Sequence, residues 1–339
     1  MFRKRKSGSG DSLADFWKWW SAGGSRDFAR SIQTGTFGSL PDVMSAHVHA
    51  IDPELVWELS AGRVAQHALY VGAAGDGHVR PVAERWLRSA PGPDATWEYV
   101  AAKRPDPNVL SSSLEIAGKT FVLADLRTRV VVNEPSQLVE VVVFHPEFAD
   151  VDDDARLRVA FLALDSVLGE DDVERWLGAV DATTEVLPDG LPLDAVLETV
   201  KALAARHTEP GWAVLEVTTE GGARLLVSVL RPLRWIDHPL LDQHLGVSVP
   251  YAVLPDGDGL PPPAELERIR GLEDTFVEAL DGHAMLVAHE TAAGFRRFHL
   301  YSDSTDDAVV PAAMDWGLAH GVEVDVERDP GWSIVRPYR

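Results

Sequence analysis

The chain has 339 residues, of which 45% are hydrophobic and 25% charged, so it is long enough for two folded domains and has a globular composition. Its 53 acidic residues outnumber 31 basic ones, and the net charge of −22 argues against nucleic acid as a partner because it repels phosphate backbones. The sequence contains no cysteine, which excludes disulfides, thiolate metal sites and cysteine nucleophiles.

Apolar runs in the sequence are short, which bears on where the protein resides. None approaches the roughly 18 residues that a membrane-spanning helix needs. Residues 3–6 are basic, but the polar, glycine-rich stretch after them differs from the apolar core of a secretory signal peptide. We therefore expect a cytoplasmic protein, and the excess of Arg over Lys is typical of a GC-rich bacterial genome.

Residues 1–42 are predicted to form a flexible tail that carries one short aromatic helix. Four apolar side chains recur at the helical spacing i, i+3, i+4 and i+7: Leu13, Phe16, Trp17 and Trp20. Gly23 and Gly24 are expected to end this helix. Three interpretations of its apolar face stay open, namely docking onto the chain's own body, binding in the groove of a partner protein, and weak contact with a membrane surface.

A first domain of mixed α and β structure is predicted over residues 43–208. The predicted strands are residues 56–59, 67–71, 97–101, 126–132, 138–144 and 178–186. Helices are expected to begin near residues 77, 152, 170 and 192. The helix after residue 152 has an apolar stripe that we expect to be buried: Leu157, Phe161, Leu164 and Leu168. The element order also allows an α+β sandwich related to the second domain by duplication.

A second domain is predicted over residues 209–339. Its predicted strands are residues 212–217, 224–230, 245–249, 285–290, 295–301 and 322–327, the first two joined across Gly221 and Gly222. One helix is expected before Gly282 and another within residues 306–319, where Pro311 either begins the helix or kinks it. From residue 245 onward the order is β-α-β-β-α-β, so the second domain is predicted to be ferredoxin-like with extra N-terminal strands.

The C-terminal third carries motifs that resemble a known family. These are the helix ELERIRGLEDTFVEAL at residues 265–280, the strand FRRFHLYSDS at residues 295–304, and Asp-Pro-Gly-Trp at residues 329–332. On these motifs residues 210–337 resemble bacterial domain of unknown function family 695, which implies no catalytic residues because the family has no assigned activity. The ferredoxin-like half is also similar, in topology and charge, to regulator of ribonuclease activity B, an inhibitor of an RNA-degrading enzyme.

The densest cluster of ligand-type side chains lies between residues 237 and 244. His238, Asp242 and His244 together offer two imidazoles and a carboxylate, which suit a divalent metal. The same residue types before a proline are also typical of a turn that enters a strand, and we favour the turn. No metal and no other cofactor is therefore predicted.

His289, Glu290 and His299 are candidates for acid–base chemistry. His289 and His299 lie on neighbouring predicted strands, and in a hairpin the two imidazoles could share one face of the sheet. The alternative interpretation is a polar cross-strand pair on a solvated face. We predict no catalytic residue and keep these three as the candidates.

Two further segments have a structural explanation. The glycines between residues 72 and 77 follow a strand and precede a helix, but their spacing fits neither a dinucleotide fingerprint nor a phosphate-binding loop. The acidic residues 150–154 lack the spaced ligands and central glycine of a calcium loop. A flexible turn and a helix cap explain them.

Negative charge and the absence of a catalytic signature favour a non-catalytic protein-binding or regulatory module with an acidic surface. Its expected partner is a basic or groove-bearing protein. Two alternatives stay open: a hydrolase that uses His and carboxylate groups of the second domain, and a structural subunit of a homo-oligomer. A deep pocket around the candidate histidines would favour the hydrolase.

Overall fold

The structure, a computed structural model, is a mixed α+β fold, as the sequence predicts. It describes residues 9–206, 210–218, 224–253, 259–292 and 294–339. The chain divides into two compact units, Met1–His207 and Thr208–Arg339. The basic residues 3–6, the expected boundary at residues 208 and 209, and the turn at Gly221 and Gly222 lie outside the described residues. No helix in the described ranges is long and apolar enough to cross a bilayer.

Three helices open the described part of the first unit: α1 (Ser9–Trp19), α2 (Ser25–Thr34) and α3 (Leu40–Ile51). One π-helical turn, Trp20–Gly24, joins α1 to α2, so the chain stays helical through the two glycines where we expected an end. Gly35 ends α2 with a φ of 68°, a left-handed conformation that glycine adopts without strain.

The prediction of a flexible tail is corrected for residues 9–42. The four apolar side chains of the aromatic helix are buried in the core of the first unit: Leu13, Phe16, Trp17 and Trp20. Trp17 stacks on Trp86 with ring centroids 4.9 Å apart, and its Nε1 donates to the Trp86 carbonyl oxygen at 3.2 Å. The aromatic face is thus docked on the chain's own body, and it presents no apolar surface to a partner groove or a membrane.

The sheet under these helices has three strands, β1 (Val56–Ala61), β2 (His67–Gly72) and β3 (Trp97–Val100), in that order. β1 and β2 are antiparallel, whereas β2 and β3 are parallel because helix α4 (Arg80–Arg88) connects them. The Trp20 indole donates to the Tyr99 hydroxyl of β3 at 2.9 Å. This bond ties the aromatic helix to the sheet.

The remainder of the first unit forms a second core. It consists of a hairpin, a four-stranded sheet and three helices: β4 (Ser113–Ile116), β5 (Lys119–Val122), β6 (Arg127–Asn133), β7 (Leu138–Phe144), α5 (Asp153–Leu168), α6 (Glu170–Trp176), β8 (Leu177–Thr183), β9 (Leu191–Pro192) and α7 (Asp194–Ala205). The sheet order is β8-β7-β6-β9, with β7 and β8 parallel.

Helix α5 buries two of the four side chains of the predicted stripe, Leu164 and Leu168, on a face shifted from the predicted one. Phe161 is exposed and Leu157 is half-buried, whereas Val159, Ala160 and Ala163 are fully buried. The prediction followed the leucines and the phenylalanine. Because both faces of α5 carry apolar residues, periodicity could not show which face is buried. The face that packs combines Leu164 and Leu168 with alanines and valines of the same helix.

The second unit contains six strands and two helices: β10 (Gly211–Thr218), β11 (Arg224–Arg231), β12 (Gln243–Pro250), α8 (Pro263–Ala279), β13 (Ala284–Ala292), β14 (Phe295–Ser302), α9 (Val309–His320) and β15 (Glu323–Arg328). They form one sheet of order β10-β11-β13-β14-β12-β15, and all its described strand pairs are antiparallel. From β12 onward, element order and strand order are those of the split βαβ arrangement. Pro311 lies in the first turn of α9, where a proline does not kink a helix.

The two units do not share a topology. The four-stranded sheet of the first unit contains a parallel pair, and its neighbouring strands form separate sheets. The single antiparallel sheet of the second unit has a different order. The interpretation of the first domain as a related sandwich is therefore corrected.

The sheet of the second unit has two differently covered faces. On the helix face, α8 and α9 pack with Phe276 and Trp316 against strand residues such as Phe298 and Leu300. On the opposite face, residues 329–339, here called the C-terminal strap, place Trp332 and Val335 beside Tyr301 and Val227. We call this second side the strap face.

Replacing Phe16 by alanine tests the buried position of the N-terminal helix. Phe16 is fully buried, so Phe16→Ala should lower the free energy of unfolding by about 3–5 kcal/mol, as large cavities in cores do. Chemical denaturation followed by tryptophan fluorescence measures this loss. Lys18→Ala, on the exposed side of the same helix, is the control and should change the value by less than about 0.5 kcal/mol. If this segment were a flexible tail, both substitutions would change the free energy of unfolding by similarly small amounts.

Candidate functional site

Four strands of the second sheet place ionisable side chains in a diagonal row on the strap face. The row runs from Glu290 on β13 to His299 on β14, His244 on β12 and Glu327 on β15. His299 lies opposite Gly246, whereas His244 lies opposite both Tyr301 and Glu327. Diagonal neighbours in adjacent antiparallel strands are within reach of long side chains, so the register alone brings the row together.

Hydrogen bonds connect three members of this row to the strap. His299 Nε2 is 2.9 Å from Glu290 Oε1, and its Nδ1 is 3.0 Å from His244 Nε2. The Tyr338 hydroxyl of the strap donates to the same Glu290 oxygen. Since a carboxylate only accepts, His299 Nε2 donates; in a neutral ring Nδ1 then accepts, and His244 Nε2 is the donor.

Glu290 is the charged end of this hydrogen-bonded series. Burial raises the pKa of its carboxyl, but the hydrogen bonds from His299 and Tyr338 outweigh burial, and the pKa lies below its ordinary value. Glu290 is therefore an ionised acceptor at neutral pH. This charge orients the imidazole of His299 and, through it, that of His244.

His244 ends the series in an unusual state. Its Nδ1 is buried without a hydrogen-bond partner among the described residues, and Glu327 Oε1 is 3.9 Å away. Burial, together with the nearby His299 and Arg297, lowers the pKa of His244 to about 3. The ring is thus neutral at neutral pH, and the approach to Glu327 is not an ion pair there.

Gly246 makes room for this arrangement. A Cβ atom at this position would lie 2.6 Å from Arg297 Nη2 and 3.0 Å from His244 Cε1. Arg297 crosses the space above the glycine to reach Asp325 of β15 at 3.3 Å. A larger residue here would displace the Arg297 guanidinium and crowd the His244 ring.

His289 does not belong to the row, so the structure separates the two histidines that a hairpin could have placed on one face. His289 pairs with Phe298 and His299 with Ala288, which directs the two rings to opposite faces. A β-bulge between Leu286 and Ala288 shifts the register by one residue, and a one-residue shift exchanges the faces.

On the helix face, His289 has partners of its own. Its Nδ1 is 3.3 Å from Glu273 Oε2 of α8 and accepts from Arg296 Nη2. The Trp212 ring meets the imidazole edge-on with centroids 4.9 Å apart. Burial and the charge of Arg296 lower the pKa of His289 to about 3, so this ring is also neutral.

The three candidate metal ligands serve separate purposes. Asp242 is buried and accepts hydrogen bonds from Ser304 and Arg328. His238 stacks parallel to the Trp332 ring at 6.0 Å, while His244 faces His299. Within the described ranges, no group of three or more His, Asp or Glu side chains is arranged to hold a metal ion.

Asp329 is an anchor that the sequence analysis did not identify. It accepts from the Tyr301 hydroxyl at 2.6 Å, from the Ser333 hydroxyl and amide at 2.6 and 2.7 Å, and from the Ile334 amide at 3.0 Å. Trp332 Nε1 donates to the Leu241 carbonyl at 2.7 Å. The Asp-Pro-Gly-Trp motif was the available signal, and its physical role is to fasten the strap over the row.

The polar row and all but the last residue of the strap lie in a region that matches a family model. Residues 230–338 match the model of the family of unknown function DUF695. The resemblance predicted for the C-terminal region is thereby confirmed, while the similarity to regulator of ribonuclease activity B stays a prediction. No curated protein matches the chain, and neither does any solved structure.

The neutral, buried state of His244 predicts a specific dependence of stability on pH. Its pKa is about 3 in the folded chain against 6.5 ordinarily, so below pH 6.5 the unfolded chain takes up a proton that the folded chain does not. The free energy of unfolding should therefore fall as the pH is lowered from 6.5 towards 3, by up to about 1.4 kcal/mol per pH unit for this group. In His244→Asn this slope should be shallower by that amount, measured by urea denaturation.

His283→Gln is the control of opposite sign. A hydrogen bond to Asp306 raises the pKa of His283, so its stabilisation is present at acidic pH and lost as the pH rises. Because both folded and unfolded chains bind this proton just below pH 6.5, His283→Gln should leave the slope there unchanged and should lessen the loss of stability above pH 6.5, whereas His244→Asn flattens the slope between pH 3 and 6.5. Equal slopes in wild type and His244→Asn would contradict the neutral state of His244.

Proposed function

We propose that the chain is a non-catalytic protein-binding module, whose second unit takes an extended, basic segment of a partner protein along the outer edge of β10. One observation carries the proposal: β10 is the last strand of the sheet and exposes large apolar side chains beside backbone groups that no described strand pairs. Extended segments add to such edges through main-chain hydrogen bonds, and side chains supply the selectivity.

Trp212 and Val214 are the anchors on this edge. They alternate along β10 and so share one face of the sheet, and their exposed fractions are 49% and 71%. Trp212 is also pre-positioned, because the edge of its ring rests against His289. A rigid, half-exposed tryptophan is the type of residue that contributes most to binding at protein interfaces.

The other edge of the same sheet is built differently. β15 carries Glu323, Asp325 and Glu327, all on the strap face, and alternating carboxylates discourage edge-to-edge pairing. β10 has a single acidic residue, Glu216, between its apolar side chains. The contrast supports β10 as the edge that accepts a strand.

Charge supports a basic segment as the occupant. Residues 208–339 contain 22 acidic residues against 10 arginines and no lysine. A surface of this sign accelerates encounter with basic chains and disfavours acidic ones.

The polar row favours binding over the hydrolase alternative. His244 and His299 have exposed fractions of 0% and 1%, and both nitrogens of His299 are engaged in hydrogen bonds. A general base must come within hydrogen-bond distance of a substrate proton, directly or through one water. With the strap in place, these rings serve to organise the sheet.

Site-specific photo-crosslinking tests the proposal in cells that naturally produce the chain. A photoreactive phenylalanine derivative at position 214 should capture a second protein through a segment rich in Lys and Arg. The same derivative at position 323, on the β15 edge, is the matched control and should capture no such segment. Trp212→Ala should weaken binding of the captured segment by about 2 kcal/mol or more, which calorimetry measures.

Two outcomes would contradict this function. Equal capture at positions 214 and 323 would show that the β10 edge is not selective. Capture of another copy of the same chain at position 214 would instead support the structural subunit of a homo-oligomer.

A further inference from the structure

The first unit contains a cleft of about 390 Å³ with no part in the function proposed above. Its walls come from helix α4, from the segment that follows β3, and from the junction of α5 and α6. This volume is within the range of small-molecule sites. The charged side chains in its lining are Arg80, Glu84, Lys103, Arg104, Asp171, Asp172 and Arg175.

The lining contains charged side chains of both signs, and each basic one has a carboxylate partner. Four of its seven charged side chains are basic, in a chain where acidic residues outnumber basic ones by 53 to 31. The three carboxylates of the lining are each paired with an arginine: Glu84 and Asp171 with Arg80, and Asp172 with Arg175. Arg80 and Arg175 are occupied by these carboxylates, and Lys103 pairs with Glu58 at 3.0 Å. The cleft therefore has no net positive charge, and an anion in it must be held by directed hydrogen bonds.

Arg104 is the group in the cleft that is equipped to bind an anion. Its Nη1 donates to Glu98, but no described residue accepts from its Nε or Nη2, and the side chain is 39% exposed. One edge of the planar guanidinium is thus left without a protein acceptor. Two parallel N–H donors on such an edge match the two oxygens of a carboxylate or phosphate.

Glu98 holds Arg104 in position. Its carboxylate is buried and accepts from three consecutive backbone amides, those of Arg63 at 3.0 Å, Val64 at 2.7 Å and Ala65 at 3.2 Å. A carboxylate fixed by four donors fixes the arginine in turn. Binding therefore costs little ordering of the Arg104 side chain.

The rest of the lining suits a carbon skeleton. Leu87, Tyr99, Val100 and Leu168 supply apolar and aromatic surface next to the basic groups. Buried apolar contact gives affinity in small-molecule sites, and a few polar groups fix the orientation.

We infer that this cleft binds a small organic anion, whose carboxylate or phosphate group is held by the free edge of Arg104 and whose apolar body lies against Tyr99 and Leu168. Arg175, which pairs with Asp172, and Lys103, which pairs with Glu58, also line the cleft. The site is independent of the β10 edge.

Calorimetric titration of the full chain with phenyl phosphate and with benzoate tests this site. Inorganic phosphate serves as a probe of the anionic group alone, and benzyl alcohol as a probe of the apolar body alone. Phenyl phosphate or benzoate should bind saturably with a dissociation constant of about 1 mM or below. Inorganic phosphate should bind about tenfold more weakly, because it lacks the apolar body. Benzyl alcohol, which lacks the charge, should not bind saturably. The tighter of the two anions identifies the preferred head group.

Arg104→Lys is the decisive variant, since it keeps the charge and a donor for Glu98 but removes the planar fork. It should weaken binding of the preferred probe by about tenfold with an unchanged stoichiometry. Arg175→Gln leaves the Arg104–Glu98 bond intact and should weaken binding by about threefold. This second variant tests the site even if Arg104→Lys lowers the melting temperature. Arg206→Lys, in an exposed pair with Glu134, is the control and should bind like wild type. No saturable binding of either anion, or equal affinity in all variants, would overturn the inference.

Discussion

The register between β13 and β14 is the constraint on which the second unit depends. The bulge between Leu286 and Ala288 sets which side chains face the strap and which face the helices. With this register His299 joins Glu290 and His244 on one face, while His289 meets Glu273 on the other. Because a one-residue slip would expose apolar side chains and bury charges, the hydrophobic pattern of both faces fixes the register.

Buried carboxylates organise both units in the same way. Glu98 gathers three backbone amides and Arg104, Asp242 gathers Ser304 and Arg328, and Asp329 gathers the start of the strap. Each charge is stable in the interior only because several donors replace the water that it loses. Because each buried carboxylate needs several donors, a single acidic residue holds a loop, an arginine or a terminal segment in place.

Both proposed surfaces consist of groups that remain available after the buried polar side chains have bonded to one another. In the second unit the buried His244 and His299 bond to each other and to Glu290, whereas the apolar edge of β10 reaches solvent. In the first unit Glu98 uses one nitrogen of Arg104 and leaves the guanidinium edge for a ligand. The proposed ligands are accordingly a basic segment for the strand edge of this strongly acidic chain and, separately, a small anion for the cleft.

The family resemblance was predicted from short motifs in the C-terminal third. Local periodicity was sufficient to predict the α+β class and the order of the second unit's strands and helices along the chain, because strand and helix patterns depend on neighbouring residues. It failed where packing chooses between equivalent faces, as for Phe161 on α5, and where partners are far apart in the chain. Trp17 bonds to a carbonyl 69 residues away and Tyr338 to a carboxylate 48 residues away, so no local pattern could indicate either contact. The docked aromatic helix, the polar row and the position of Arg104 arise from such long-range contacts, since only the folded chain brings these groups within bonding distance.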